Sequence, residues 1–160
     1  MKQEIGFDLK LAHEHFAKST NGRTWELLKK DARTEAEDFE MQAAVYASIY
    51  HWMQIGTALN LQRADWLIAH VLIGLGDAKA ALKHATRCYQ YTLENPDLMQ
   101  DFDLAYGYEG IARANGLMGN VEAAKSYYEK ARAAGEAIAD EEDRGIFMTD
   151  FEAGEWFGIT

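Results

Sequence analysis

The chain has 160 residues, 48% of them hydrophobic, which is enough for one domain with a hydrophobic core and too short for two ordinary domains. Its formal net charge of −10 argues against bulk electrostatic binding of nucleic acid or of an anionic membrane, because both ligands are polyanions and repel an acidic protein. A single cysteine, no apolar export signal in residues 1–10 and no apolar run of membrane-spanning length favour a cytoplasmic protein with one domain over residues 1–160.

Helix-favouring residues dominate the sequence from end to end. It contains one proline, and Ala, Leu, Glu and Lys are abundant. No segment alternates polar and apolar residues between turn signals, as a half-buried strand does. The chain is therefore predicted to be all-α, with about seven to eight helices.

The first predicted helix covers residues 8–18. Asn21 and Gly22 are expected to end it, because both residues tolerate the left-handed conformation found at helix C-termini. Thr24 then suits the N-cap position of a short second helix.

A longer helix is predicted to start after Thr34. Thr34 and Glu37 have the spacing of a capping box, in which each side chain binds the other residue's backbone N–H. This helix should continue to about residue 55. Apolar and aromatic residues at helical spacing predict its core-facing side: Phe39, Ala43, Ala47, Tyr50 and Met53 or Gln54.

Two segments of one design follow, over residues 59–94 and 102–135. Each reads as a helix, a short turn centred on Gly76 or Gly119, and a second helix capped by Asp77 or Asn120. Asn95–Pro96 separates the two segments, since the residue before proline avoids the α-helical region. The sequence therefore predicts two helical hairpins, with small residues where the paired helices touch.

A last helix is predicted over residues 141–157, within an acidic stretch. Its apolar residues give it a face to bury: Ile146, Phe147, Phe151 and Trp156. It is expected to cap the open end of the stacked hairpins, as terminal helices of repeat proteins do.

The two hairpins resemble tetratricopeptide repeats. The matching positions carry small residues or the turn glycine, with one aromatic: Ala69, Gly76, Ala81 and Cys88, then Ala112, Gly119, Ala124, Tyr128 and Ala131. The match is atypical, because the copies lie 43 residues apart and the helix-ending proline is missing. The resemblance implies a right-handed superhelix of antiparallel hairpins, whose first helices line a concave face.

The resemblance also implies which residues face that concave side: Arg63, Trp66, His70 and Ile73 from one helix, and Tyr106, Glu109, Arg113 and Leu117 from the next. Steps of three and four independently place each set on one helical stripe. Arginine recognises carboxylates through paired hydrogen bonds. Our first hypothesis is a protein-interaction module whose polar and aromatic groove binds a partner or peptide that carries acidic or carboxylate groups.

Three other interpretations stay open. Glu109 and Arg113 have the i,i+4 spacing of an ordinary surface salt bridge, which would make the stripe structural. Alternatively, four residues could form a closed polar pocket for a small molecule or an enzymatic reaction: Arg63, His70, Glu109 and Arg113. The open ends of so short a stack could also associate as a structural homo-oligomer. No motif indicates a cofactor, and no histidine pair has the helical spacing of a metal site.

Overall fold

The computed structural model describes residues 6–160, and within that range the protein is all-α. Seven α-helices and one 3-10 turn make up the fold, and the described residues contain no strand. The helices are α1 Leu9–Leu28, α2 Glu35–Ile55, α3 Ala58–Gly74, α4 Ala78–Glu94, α5 Asp101–Met118, α6 Val121–Glu136 and α7 Glu141–Glu152, with the 3-10 turn Pro96–Leu98 between α4 and α5. None of these helices is both long and apolar enough to cross a bilayer.

Consecutive helices pack in pairs, α1 with α2, α3 with α4 and α5 with α6. The pairs then stack, since α2 contacts α3 and α4 contacts α5. The odd-numbered helices also meet directly, α3 with α5 and α5 with α7. The inner side of the stack is therefore built from α3 and α5.

The turns within the two predicted hairpins have the same backbone structure. Gly76 and Gly119 both adopt a positive φ, of 80° and 84°, which costs glycine little because it lacks a Cβ. After each glycine, the next N–H donates to a carbonyl five residues earlier, from Asp77 to Leu72 and from Asn120 to Asn115, at 2.9 Å in both turns. Both turns are therefore the same helix-ending motif, at equivalent positions of the two hairpins.

Small residues lie where the hairpin helices touch. The six Ala and Cys positions singled out by the repeat pattern are almost completely buried: Ala69, Ala81, Cys88, Ala112, Ala124 and Ala131. Side chains of this size let two helix backbones approach closely. Asp77 caps α4 as predicted, with its carboxylate accepting from the Ala80 N–H at 3.0 Å. Asn120 occupies the N-cap of α6, but its side chain donates to the Asn115 side chain at 3.0 Å instead of capping.

The predicted break at Asn21 and Gly22 is wrong, because α1 is one helix that runs through both residues. Thr24 is a buried helical residue, and its hydroxyl donates to the Thr20 carbonyl at 2.8 Å. Packing against α2 explains the continuity, since the buried Ser48 hydroxyl donates to the Ala17 carbonyl at 2.9 Å. Tertiary contacts here override the weak local preference of an Asn-Gly pair.

Substituting Gly22 with alanine is expected to stabilise the protein by about 0.5–1 kcal/mol. A Cβ at this position would meet no atom within 4 Å, so alanine gains helix propensity without a clash. Urea unfolding of the G22A variant measures the effect. A loss of stability would mean that residue 22 ends a helix, as the local sequence suggested.

The capping box at the start of α2 is confirmed. The Glu37 N–H donates to the Thr34 hydroxyl at 3.2 Å, and the Thr34 N–H donates to the Glu37 carboxylate at 2.9 Å. The predicted core face of α2 is wrong, however: Phe39 is 75% exposed, and Tyr50 and Met53 are also exposed. The buried side consists of Met41, Ala44, Val45, Ser48 and Ile49. Both sides of α2 carry apolar residues at helical spacing, so periodicity alone could not choose between them.

The last helix ends earlier than predicted, at Glu152 rather than residue 157. The chain then turns back on the fold, with positive φ at Gly154, Phe157 and Gly158. This turn buries Trp156 and Ile159 beside Phe147 and Phe151 of α7, in a core that α5, α6 and α7 share. The expectation that Ile146 is buried is wrong, since its side chain is 53% exposed.

Candidate functional site

The predicted groove residues lie on the inner side of the stack, beside two adjoining cavities of about 270 and 390 Å³. Both cavities are lined by Trp25 of α1, Trp66 of α3 and Asp150 of α7. We call the two cavities together the cleft. Arg63 and Tyr106 line the smaller cavity, while His70, Ile73, Glu109 and Arg113 line the larger one. Of the eight predicted concave residues, Leu117 is the one that lines neither cavity.

Glu109 is the centre of a buried network. Its side chain is 3% exposed, and one carboxylate oxygen accepts from the Trp66 indole N–H at 2.9 Å. The same oxygen lies 2.9 Å from His70 Nε2, and the other oxygen pairs with the Arg113 guanidinium. The structure therefore joins four predicted site residues in one network, and the i,i+4 pair of Glu109 and Arg113 is buried rather than superficial.

The neighbours of Glu109 keep its carboxylate ionised. Burial on its own raises the pKa of a carboxyl group, but the His70 imidazole, the Arg113 guanidinium and the Trp66 indole N–H outweigh it and lower the pKa of Glu109 to about 2. A buried charge is tolerated here because each oxygen has a partner.

This pKa predicts how stability depends on pH. Because the pKa of Glu109 is lower in the folded chain than its ordinary value of 4.5, its contribution is complete above about pH 4.5 and is lost as the pH falls towards 2. The contribution is on the order of 3 kcal/mol. Urea unfolding at successive pH values gives the free energy of unfolding of wild type and of an E109Q variant. The difference between the two measures the contribution of the Glu109 charge.

That difference should shrink as the pH falls from 5 to 3, because protonation removes the charge that the substitution removes. An E142Q variant is the control, since Glu142 is an exposed carboxylate in the first turn of α7. A stability difference that stays constant across this pH range would contradict the ionised, network-bound Glu109.

Arg113 holds the C-terminal segment onto α5. Its guanidinium donates to four backbone carbonyls: Glu155 at 2.9 Å, Asp150 at 3.1 Å, Phe151 at 3.3 Å and Ala153 at 2.8 Å. It also lies 3.9 Å from the centre of the Trp156 ring. These carbonyls belong to the end of α7 and the turn after it, where backbone acceptors lack helical partners. Arg113 is thus committed to the fold, and its side chain is 6% exposed.

Arg63 is half-exposed and paired. Its guanidinium donates to both oxygens of the buried Asp103 carboxylate, at 2.9 and 3.2 Å, and lies 5.2 Å from the Phe102 ring centre. Asp103 also accepts the Gln100 N–H at 2.8 Å at the start of α5. Arg63 Nε and Nη2 make the two bonds to Asp103, Nη1 takes part in no hydrogen bond among residues 6–160, and the Arg63 side chain lines the smaller cavity.

Tyr106 connects α5 to α7. Its hydroxyl donates to the Asp150 carboxylate at 2.6 Å, and its ring contacts Trp66 edge-on at 5.1 Å between centres. Burial, followed by the hydrogen bond to the Asp150 side chain, raises the pKa of Tyr106 far above its ordinary value. The phenol therefore stays protonated and acts as a donor.

Sequence reasoning missed two walls of the cleft, Trp25 and Asp150. The continuous α1 brings the Trp25 ring to 5.9 Å from that of Trp66, which the short second helix predicted after Thr24 does not indicate. Asp150 is one of many acidic residues in the stretch that contains α7, and the packing of α7 brings it to the Tyr106 hydroxyl. Neither position carries a local signal for the cleft, because each arrives there through long-range packing.

His13, His51 and His84 each have a close polar partner. His13 and His51 approach at 2.8 Å between their Nδ1 atoms, and His84 lies 2.8 Å from the buried Asp65 carboxylate, which also pairs with Arg87. No group of three or more potential ligands that could hold a metal ion occurs within residues 6–160. Burial raises the pKa of the Cys88 thiol, which leaves it protonated in the core.

Comparisons with protein-family models, with curated proteins and with solved structures gave no match. The class of the protein is therefore defined by its own architecture. It is an all-α protein of stacked helical hairpins, with a cleft on the inner side bounded by α1, α3, α5 and α7.

Proposed function

We propose that this chain is a cytoplasmic, tetratricopeptide-like protein-interaction module that binds a peptide segment of a partner in the cleft. The observation that carries the proposal is the pair of adjoining cavities with Trp25 and Trp66 as shared walls. Flat, half-buried aromatic side chains supply contact area at low entropic cost and are enriched at binding surfaces. An extended peptide would pass from one cavity to the other across these two rings.

The polar groups that could recognise such a peptide are fewer than the stripe suggested. Arg113 and Glu109 satisfy each other and the C-terminal turn, so they shape the cleft without being free for a ligand. Arg63 Nη1 can donate to a peptide carbonyl. Lys29 lines the larger cavity and is exposed, and its Nζ lies 5.6 Å from the centre of the Trp25 ring. The proposed carboxylate-bearing part of the partner would lie at Lys29.

The closed-pocket alternative has less support from the contacts. His70 and Arg113 both bind Glu109. Arg63 instead binds Asp103 and lines the other cavity. The four residues thus form two separate pairings instead of one empty polar pocket. Homo-oligomerisation stays a prediction. Light scattering tests it by measuring the molar mass of the protein in solution.

A random peptide library displayed on phage tests the proposal. Wild-type protein should enrich peptides whose binding, measured by fluorescence anisotropy, falls at least tenfold in a W25A variant, because this change removes one of the two aromatic walls that both cavities share. The matched control is W52A: Trp52 is also partly buried, packed against the core that α1 to α5 share, but it does not line the cleft. Circular dichroism must show that both variants keep their helices.

A second pair of variants tests the carboxylate end. K29E should weaken acidic or C-terminal peptides about fivefold, as expected for loss of one exposed ion pair and gain of repulsion. K125E is the control, since Lys125 is exposed on α6 and outside the cleft. Failure to enrich any peptide, or equal binding by wild type and W25A, would overturn the peptide groove.

A further inference from the structure

The smaller cavity of the cleft is lined by aromatic rings from three helices. Trp25 comes from α1, Trp66 from α3, and Phe102 and Tyr106 from α5. Trp66 is central, with ring-centre distances of 5.9 Å to Trp25 and 5.1 Å to Tyr106. All four side chains are partly exposed. The cavity, of about 270 Å³, therefore presents several aromatic surfaces to whatever enters it.

Two of these rings donate hydrogen bonds to carboxylates. The Trp66 indole N–H donates to ionised Glu109 at 2.9 Å, and the Tyr106 hydroxyl donates to Asp150 at 2.6 Å. Hydrogen bonds to an anion polarise the donor, which pushes electron density into the ring. Electron-rich ring faces attract cations within about 6 Å of the ring centre.

The charges around the cavity also favour a cation. Asp103 and Asp150 line it, and Arg63 is the one cationic side chain among residues 6–160 that does. Asp103 binds that guanidinium through both oxygens. Asp150 therefore has no cationic partner among the described side chains that line the cavity. Asp150 Oδ2 accepts from Tyr106, while Oδ1 has no partner among residues 6–160. An incoming anion would meet this carboxylate, and an apolar group would bury its free oxygen without a hydrogen bond.

We infer that the smaller cavity binds the ammonium group of a lysine side chain from the partner polypeptide. The inference rests on the proposed peptide-binding function and names the residue that anchors the peptide. The lysine stem would lie against Trp25 and Trp66, and its ammonium would donate to Asp150 Oδ1. An ammonium suits this site better than a guanidinium, because it is a compact charge that needs no planar two-oxygen acceptor. The net charge of −10 would attract such a basic segment over a long range.

The test uses three blocked pentapeptides, Ala-Ala-X-Ala-Ala, in which X is lysine, norleucine or glutamate. Norleucine keeps most of the lysine stem and lacks the charge. The readout is the ¹H–¹⁵N NMR signal of each tryptophan indole N–H, assigned with single Trp-to-Phe variants. The lysine peptide should shift the Trp25 and Trp66 signals in a saturable way. The norleucine peptide should bind at least tenfold more weakly, and the glutamate peptide should shift neither signal.

A charge-neutral substitution of the proposed acceptor provides the second arm. D150N keeps an oxygen that can accept from Tyr106 but removes the negative charge, and it should weaken the lysine peptide at least fivefold. E142Q makes the same charge change on the exposed first turn of α7 and should leave binding unchanged. Equal binding of the lysine and norleucine peptides, or of wild type and D150N, would overturn the ammonium pocket.

The outcomes separate this inference from the proposed function. Library peptides that depend on Trp25 but lack lysine, with no response to the lysine pentapeptide, would overturn the ammonium pocket and support the peptide groove. Saturable lysine binding with no library peptide enriched would support the pocket and overturn the groove.

Discussion

An R113M variant is expected to unfold about 3–5 kcal/mol more easily than wild type, the cost typical of removing one partner from a buried ion pair. Methionine replaces the aliphatic stem of arginine, so the change removes the charge and the donors with little loss of packing. Glu109 would then be a buried carboxylate without its guanidinium partner. Four backbone carbonyls at the end of α7 would also lose their donor.

Urea unfolding measures the loss, and hydrogen exchange shows where it falls. Amide exchange should accelerate first in residues 147–160, because these residues dock onto α5 through Arg113. R132M is the matched control: Arg132 pairs with Glu129 on α6, but both side chains are about half-exposed, so the change should cost less than 1 kcal/mol. A cost for R113M as small as that of R132M would show that the guanidinium does not hold the C-terminal segment.

The central part of the fold could be predicted because its signals are local. Gly76 and Gly119 end helices through their own backbone freedom, and Asp77 caps the next helix within one turn. The spacing of Trp66 and His70, and of Glu109 and Arg113, likewise places each pair on one face of one helix. Such features need no knowledge of the rest of the chain. The boundaries of α3 to α6 therefore agree with the predictions to within about one residue, the uncertainty of any helix end.

The parts that could not be predicted depend on contacts between distant residues. Gly22 stays helical because α1 packs along α2, and the face of α2 that becomes buried is decided by α1 and α3 rather than by its own periodicity. Whether Glu109 and Arg113 form a surface pair or a buried network depends on where α7 ends. The predicted end of α7 is five residues too late. The residues that follow Glu152 were therefore expected to be helical, and their carbonyls were not expected to accept from Arg113.

Contacts between distant residues also decide which groove residues remain open to a ligand. Six side chains were predicted to bind a partner: Arg63, Trp66, His70, Tyr106, Glu109 and Arg113. The network around Glu109 and the docking of α7 turn Glu109 and Arg113 into supports of the cleft. Trp66 and Tyr106 still line it, and their hydrogen bonds to Glu109 and Asp150 fix the orientation of both rings. The position of α7 therefore controls both the stability of the fold and the shape of the cleft.

Gly135 of α6 lies directly against the Phe147 ring of α7. A Cβ built on Gly135 would lie 2.1 Å from Cε1 and 2.4 Å from Cδ1 of the Phe147 ring, distances that no folded protein tolerates without movement. Phe147 is completely buried against Tyr106 and Phe151, so its ring has little room to move away. Packing therefore requires glycine at this position. Backbone conformation does not, because the φ of Gly135 is outside the left-handed region.

A G135A variant is expected to destabilise the protein by about 2–3 kcal/mol, the range for overpacking a tight core, even though alanine is the better helix former. G145A is the control, because Gly145 lies in α7 with no atom within 4 Å of its built Cβ. That variant should be unchanged or more stable by up to about 1 kcal/mol. Urea unfolding of both variants, at one pH and protein concentration, measures the two effects.

A double-mutant cycle with F147L assigns the cost of G135A to the contact with Phe147. Leucine removes the ring atoms that the new methyl group would strike, so adding G135A to F147L should cost at least 1 kcal/mol less than adding it to wild type. Equal costs in the two backgrounds would mean that α7 does not pack on α6 through this contact. The placement of Asp150 beside Tyr106 would then depend on the contacts of α7 with α5 alone, through Arg113 and the Tyr106 hydroxyl.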